Sequence, residues 1–573
     1  MKIMKHFFFI LLLLNTTIVA SQEENNQTKN NQDSALFKQA FQTKSNILLQ
    51  NINHKKFLKR FYRKNHYKTL WLENQKINLK KQNTLFKFIT NDLTLNPKSS
   101  IFKHYQQLQT NQESNLSTDN YKRELQLTAL YYDFLNHLIY GEIQWKSFSA
   151  KLTNLRRHRV SARWLRSKPP YSVSKLLNEE DIEASIQKIT PKNFGYKNLI
   201  IALKKLNVLK EKGGWKAFTL TKKLELSSTG AIVLQLRERL KDSNDYPNDC
   251  KENNIIVKDT NLSTEGNQSK EDLPLDPNSI FGSCLEKAVK HFQTRHGLQI
   301  DGIVGPGTTK ALNLTVESKI KTVLLNIDRI KWLPRDENER YVLVNIPEFM
   351  LHYIEKGVVK QQLRVIVGDR KHHTPIFNNE ISYIVLNPYW KLPGGIVRRE
   401  IIPGMIRNPN YLKRHGIDIH TTWNERSPKI NPYNIYWEQY QWGERFPYKL
   451  MQPPGPKNAL GKIKFKFPNR FDVYLHDTPT RYLFKRYSRA FSHGCVRLNK
   501  PYKFLDTVAS FNANINLPRA KKILKGKRKT HLNMKTKLPI YLVYLTAGMD
   551  DNGTLEFRPD IYKYDKLQKR SLR

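Results

Sequence analysis

Residues 340–368, RYVLVNIPEFMLHYIEKGVVKQQLRVIVG, alternate apolar and polar side chains in runs broken at Ile346-Pro347-Glu348 and Glu355-Lys356-Gly357. Alternation puts successive side chains on opposite faces of an extended chain, so the stretch predicts neighbouring β-strands joined by turns. The pattern returns in ISYIVLNPYW (381–390), FDVYLHD (471–477) and LPIYLVYLTA (538–547). A mostly β domain, sandwich or barrel-like, is therefore expected over 317–565, followed by a basic tail at 566–573. Residues 404–456, rich in Trp, Tyr and Asn, read as a long insertion between strands, and ordered insertions of this kind often act as lids over binding sites.

Upstream of the strands the periodicity becomes helical. LQLTALYYDFLNHLIYG (125–141) spaces its apolar residues by three and four, and SKPPYS (167–172) punctuates the pattern, so a helical scaffold domain is expected over 35–221. Nothing there converges on chemistry. In 222–316, GAIVLQLRERL places Val233, Leu236 and Leu240 on one helical face, and SCLEKAVKHFQTRHGL places Leu285, Ala288, Val289 and Phe292 on another. Ser283 with Glu286 reads as a capping box, and Pro306 opens a short third helix after a glycine turn. Between the first two helices lies an acidic, Asn-rich loop, 242–276, disordered by composition. The whole is a multidomain α+β chain.

At 573 residues the chain exceeds one core, and 39% hydrophobic residues suffice to fold most of it. It opens with Lys2, Lys5 and an apolar run from Phe7 to Leu14, closing on small residues at Ala20 and Ser21. This reads as a signal peptide at 1–21 before a disordered leader at 22–34; the apolar run is too short and broken for a membrane anchor. The net charge of +47 (97 basic, 50 acidic) is spread along the chain. No nucleic-acid motif accompanies it, and an exported protein meets an anionic envelope rather than a genome. No stable membrane span is expected after cleavage.

RAFSHGCVRLNK (489–500) holds Cys495, one of three cysteines. A thiol becomes a nucleophile when a base or positive charge favours its thiolate, and His493 or His476 could serve. Gly494 permits a sharp turn that presents the sulfur and frees N–H groups for an oxyanion. A buried structural cysteine is the plain alternative, and a metal site lacks ligands at the right spacing.

AVKHFQTRHGLQIDGIVGPGTTKALN (288–313) resembles the peptidoglycan-binding module of cell-wall enzymes. YLHDTP, then SHGCVR, on a β domain behind that module resembles the L,D-transpeptidases with a YkuD-type catalytic domain. The larger periplasmic members, with a helical scaffold and a lid-like insertion, are the nearer likeness; EISYIVLNPYWKLPGGIVRREIIP and PGPKNALGKIKFKFPNRFDVYLHDTP follow their pattern. The resemblance implies Cys495 as nucleophile and His476 as general base. His493, Gly494 and Cys495 would shape the oxyanion site, with Ser492 orienting His493. Arg497 replaces the asparagine of smaller relatives, and Tyr389, Trp390 and Tyr474 become substrate-wall residues, although core packing accounts for those aromatics equally well. The implied reaction is acyl transfer from a tetrapeptide stem of peptidoglycan, through a thioester, to a diaminopimelate amine, giving a 3-3 cross-link and D-alanine in the periplasm of a Gram-negative-type envelope. No metal or organic cofactor is implied. L,D-carboxypeptidase activity, lipoprotein-to-wall attachment and a silent wall-binding scaffold remain alternatives. Cys250 and Cys284 could pair as a disulfide in an oxidising compartment.

Overall fold

The computed structural model describes residues 32–110, 117–167, 169–247, 250, 276–335, 338–550 and 552–572. The expected signal peptide at 1–21, and 251–275 of the acidic loop, lie outside these residues. Among the described residues no helix is long and apolar enough to cross a membrane.

Nine strands of the last domain carry the alternation. They are β1 (Arg340–Asn345), β2 (Met350–Glu355), β3 (Val358–Gly368), β4 (Phe377–Leu386), β5 (Ile463–Lys466), β6 (Leu475–His476), β7 (Ala490–Ser492), β8 (Val496–Leu498) and β9 (Thr530–Val543). Their order is β7-β3-β8-β6-β5-β4-β9-β1-β2, and β2 also pairs with β3, so the ladders close on themselves. A barrel, one of the two expected forms, is what forms, and closure leaves no long open edge. Val342, Val344, Leu351, Leu363, Val365, Ile384, Leu475, Val496 and Ile540 fill the main core. On β1 and β9 the alternate residues Tyr341, Leu343, Tyr541 and Val543 pack outward onto a helix, Val316–Lys331.

That helix is the spine of the molecule. Asp328 accepts from the Glu142 and Ile143 N–H groups at 2.9 and 3.2 Å, fixing the end of the long scaffold helix Ser117–Tyr140. Arg329 donates to Asp565 at 2.6 Å and to the Tyr544 carbonyl at 3.1 Å. Lys319, at its other end, hydrogen-bonds His296 of the three-helix module at 2.9 Å. In that module Val233, Leu236, Leu240, Leu285, Val289 and Phe292 share one core, and Pro306 opens the helix Pro306–Leu312. Cys250 and Cys284 are disulfide-bonded across the acidic loop.

Between β4 and β5 the chain builds a second, four-stranded sheet from Trp390–Lys391, Asp418–His420, Lys429–Ile430 and Lys449–Gln452. Its own core holds Leu392, Ile402, Met405, Leu412, Ile419, Trp437 and Leu450. The expected insertion, 404–456, falls on this unit, but the unit starts earlier, at Trp390, because Leu392, Val397 and Ile402 already belong to its core. Asn458 Nδ2 closes its base by donating to the carbonyls of Pro388, Gln452 and Pro453 at 2.9, 3.0 and 3.0 Å.

Three local expectations need correction. Residues 32–34, expected in a disordered leader, are helical, and Asp33 is buried, accepting from the Gln75 N–H at 2.9 Å. The expected basic tail is no tail through 572. A helix, Tyr564–Lys569, buries Gln568, and Ser571 accepts from the Gln144 N–H at 2.8 Å. Ser283 makes no cap: Gly282 is the N-cap residue, without a side-chain hydrogen bond.

Candidate active site

Two neighbouring strands set the site. β6 and β8 run parallel with Leu475 opposite Val496 and His476 opposite Arg497. Leu475 and Val496 point into the core, so the period of two turns Tyr474, His476, Cys495 and Arg497 onto the outer face. β5 adds Lys464, directly opposite His476.

The turn that carries Cys495 wraps the end of β3. β7 runs beside β3 at Val367 and Gly368, while β8 pairs on its other side at Val365 and Ile366, so residues 493–495 cross over the strand end. Gly494 makes the crossing at φ +111°, a conformation side chains rarely adopt. Beneath it, the loop after β3 is tied down by the chain's last segment. The Tyr562 hydroxyl donates to the Gly368 carbonyl at 2.7 Å and accepts from the Thr374 N–H at 3.1 Å. His373 stacks on Tyr562, ring centroids 3.9 Å apart, and hydrogen-bonds the Tyr564 hydroxyl at 2.8 Å.

Cys495 is half-buried and is the free cysteine among the described residues. Its Sγ reaches the Asp472 carbonyl at 3.8 Å, and no hydrogen bond joins it to His476 among the described residues. Burial pushes the thiol above its ordinary value, opposed by the Tyr474 N–H and the Lys464 charge. His476 is buried, and its Nδ1–H donates to the Asp477 carbonyl at 2.5 Å, leaving the Nε2 lone pair as the basic atom. Burial, with the Arg497 guanidinium adding to it, pulls this imidazole down to about 3, so it is neutral across the physiological range.

The structure redistributes several expected roles. Ser492 does not orient His493. Its hydroxyl donates to the Cys495 carbonyl at 2.5 Å and accepts from the Gly494 N–H at 3.1 Å, because the turn brings those backbone groups, not the imidazole, over Oγ. The Gly494 N–H is thereby engaged inside the turn rather than directed at an oxyanion. His493 turns away to Glu400 of the inserted unit, Nε2 to Oε1 2.7 Å. Its ring lies 4.6 Å from that of His372, which bonds Asp369 at 3.0 Å and Arg399 at 3.2 Å. Arg497 donates to Thr480 at 3.2 Å, and its Nε is buried without a hydrogen-bond partner among the described residues. Tyr474 is buried beside Cys495. Trp390 packs between the barrel core and that of the insertion, and Tyr389 is half-buried with no hydrogen bond or ring contact to the other site residues.

Sequence reasoning missed the support of His476. Asp477 accepts from the Arg481 guanidinium at 2.5 Å, from the Thr478 N–H at 2.7 Å and from the Lys462 N–H at 2.9 Å, which holds the carbonyl that orients the imidazole. The acid beside His476 in YLHDTP was the available signal. Glu400 and Lys464 had none, since only the fold brings them to the turn.

Three family descriptions match the chain. "L,D-transpeptidase catalytic domain" (YkuD) matches residues 339–530, "Scaffold domain" 56–203, and "Putative peptidoglycan binding domain" 260–312. A curated protein of Haemophilus influenzae described as "Putative L,D-transpeptidase" is 34% identical over 259 residues, 45% of this chain and 50% of that protein. The chain thus spans about half the length of the curated relative it matches. Among solved structures, an L,D-transpeptidase from Xylanimonas cellulosilytica is 14% identical, covering 57% of this chain and 100% of that one, with a TM-score of 0.16. One from Stackebrandtia nassauensis is 13% identical, covering 57% and 97%, with a TM-score of 0.20.

Proposed function

Because the chain carries a YkuD-type L,D-transpeptidase catalytic domain together with scaffold and peptidoglycan-binding domains, we propose that it forms 3-3 cross-links in peptidoglycan by cysteine acyl transfer. The observation that carries this reading is the shared outer face of His476 and Cys495, with the thiol on a glycine turn and the imidazole Nε2 left unprotonated. When a donor stem enters, Sγ leaves the Asp472 carbonyl, gives its proton to His476 Nε2 and attacks the carbonyl of the L-centre of diaminopimelate. The tetrahedral intermediate collapses as His476 returns the proton to the departing D-alanine amine, leaving a thioester. The side-chain amine of a second stem then attacks, loses a proton to His476, and releases the thiol.

His493, Gly494 and Cys495 shape the oxyanion site in this reading, once substrate draws the Gly494 N–H from Ser492. Arg497, Tyr474, Tyr389 and Trp390 are assigned to the substrate wall, and the insertion serves as a lid that favours amine over water as acceptor. The site of action is the periplasm, reached through the signal peptide at 1–21. Purified tetrapeptide muropeptides incubated with the protein should yield 3-3 dimers and D-alanine, and Cys495→Ala should yield neither. Tripeptide without dimer would assign a carboxypeptidase, and unchanged dimer formation by Cys495→Ala would remove the cysteine from the mechanism.

A further inference from the structure

We infer that Glu400 of the insertion is a positioning residue: through its grip on His493, the seating of the insertion and the placement of the Cys495 turn become one equilibrium. This rests on the lid role proposed above and names a residue that performs it. Glu400 lies on a single π-helical turn, Val397–Ile401, and such turns recur at functional sites. Val397 and Ile401 are buried in the core of the insertion, while Arg399 and Glu400 between them are exposed. Glu400 Oε1 lies 2.7 Å from His493 Nε2, and since a carboxylate only accepts, the imidazole N–H is the donor.

Arg399, the preceding residue, grips the support of the same turn. Its Nη1 donates to His372 Nε2 at 3.2 Å, which leaves the Nδ1–H of His372 to donate to Asp369 at 3.0 Å. The Asp369 N–H donates to the Ser492 carbonyl at 2.9 Å, and a Cβ built on Gly494 would lie 3.6 Å from the His373 carbonyl oxygen. The loop that Arg399 holds is therefore the loop on which the Cys495 turn rests. The His372 and His493 rings are 4.6 Å apart, so two successive residues of the insertion hold two neighbouring rings. Among the described residues, no other hydrogen bond or ion pair joins residues 390–456 to residues 489–495.

The contact is strong enough to position and weak enough to release. The His493 hydrogen bond holds the Glu400 carboxyl below its ordinary value, so it is ionised at neutral pH. The His493 and Glu400 side chains are 38% and 44% exposed, and water screens a pair of that kind, so it biases an equilibrium only a few-fold. Because the insertion has a core of its own, it can shift as a unit on the base that Asn458 closes, and such a shift carries Glu400 off His493. A second ion pair, Glu425 with Lys529, ties the insertion to the residue before β9 and does not touch the turn.

The test reads the cover over the thiol. Because Cys250 and Cys284 are bonded to each other, a bulky maleimide applied to the folded, unreduced chain labels Cys495 alone. The sulfur adds across the maleimide double bond and the neighbouring carbon takes up a proton. Glu400→Ala should speed labelling about threefold, and Glu400→Gln, which keeps an acceptor for the His493 N–H, should stay near the parent rate. Added to His493→Ala, Glu400→Ala should change nothing further, because the pair is already broken. Glu400→Ser replaces the Ala variant if melting shows that one misfolded. With purified tetrapeptide muropeptides, Glu400→Ala should move products from dimer toward tripeptide by about the same factor, since an unseated lid admits water. An unmoved labelling rate, a further rise in the double variant or an unmoved product ratio overturns the inference. A parent chain that makes no dimer removes the proposed cross-linking instead, and labelling then decides the role of Glu400 by itself.

Discussion

Ser492 holds the Cys495 turn together through one hydroxyl that serves two backbone groups, the Cys495 carbonyl and the Gly494 N–H. Ser492→Ala leaves both without that partner in a buried place, so a loss of about 1–3 kcal/mol is expected in urea unfolding. Turnover should fall more than KM rises, because the thiol is misplaced while the substrate wall is untouched. His476 makes a different prediction. Its folded value, about 3, lies below the roughly 6.5 of a free histidine. Between those values the unfolded chain binds a proton that the folded chain refuses, so this contribution to stability is complete above about pH 6.5 and is lost as pH falls toward 3. His476→Gln should therefore lose less stability than the parent between pH 7 and 5, measured by urea midpoints. Buried His373, drawn down to about 4, keeps part of the slope in both.

At the level of elements, the connection from the insertion to β5 and the strand β6 meet at one close approach. Gly461 has φ +58°, and a Cβ built there would lie 2.3 Å from Asp477 Oδ2. Gly461→Ala should push the Asp477 carboxylate off the Lys462 and Thr478 N–H groups and move the carbonyl that orients His476. Both melting temperature and kcat should fall; a variant with lowered stability but full kcat would show that Asp477 does not position the base. Much of this architecture was legible in the sequence. The period of two marked β1 to β4, β6 and β9, and FDVYLHD with SHGCVR marked the two segments that the fold brings side by side in the candidate site. The pairing of β2 with β3 and the passage of β7 and β8 on either side of β3 were not, because ladders between strands distant in sequence leave no periodic trace. Ser492 was given the wrong partner for the same reason. A hydroxyl's nearest acceptor depends on how the turn folds back, and spacing alone does not fix that.

Across the whole molecule, Asp328 and Lys331 join the scaffold to the barrel. Asp328 receives two N–H groups from the end of the scaffold helix, and Lys331, fully buried, lies 3.7 Å from it and donates to the His137 carbonyl at 3.2 Å. Asp328→Ala removes this near countercharge of a buried ammonium, and thermal unfolding should show a loss of about 3–5 kcal/mol. Asp328→Asn, which keeps an acceptor for the two N–H groups, should lose less. A second tie joins distant parts of the chain. Residues 562–571 hold the loop beneath the Cys495 turn through Tyr562 and Tyr564, and bind Gln144 and Lys151 through Ser571. During synthesis the helices of 55–140 can fold as they emerge, but the floor under Cys495 is built from residues made after Cys495 itself. A growing chain therefore carries its thiol for some time on an unbuttressed turn, and the proposed acyl transfer should switch on only when Tyr562 and Tyr564 close beneath it.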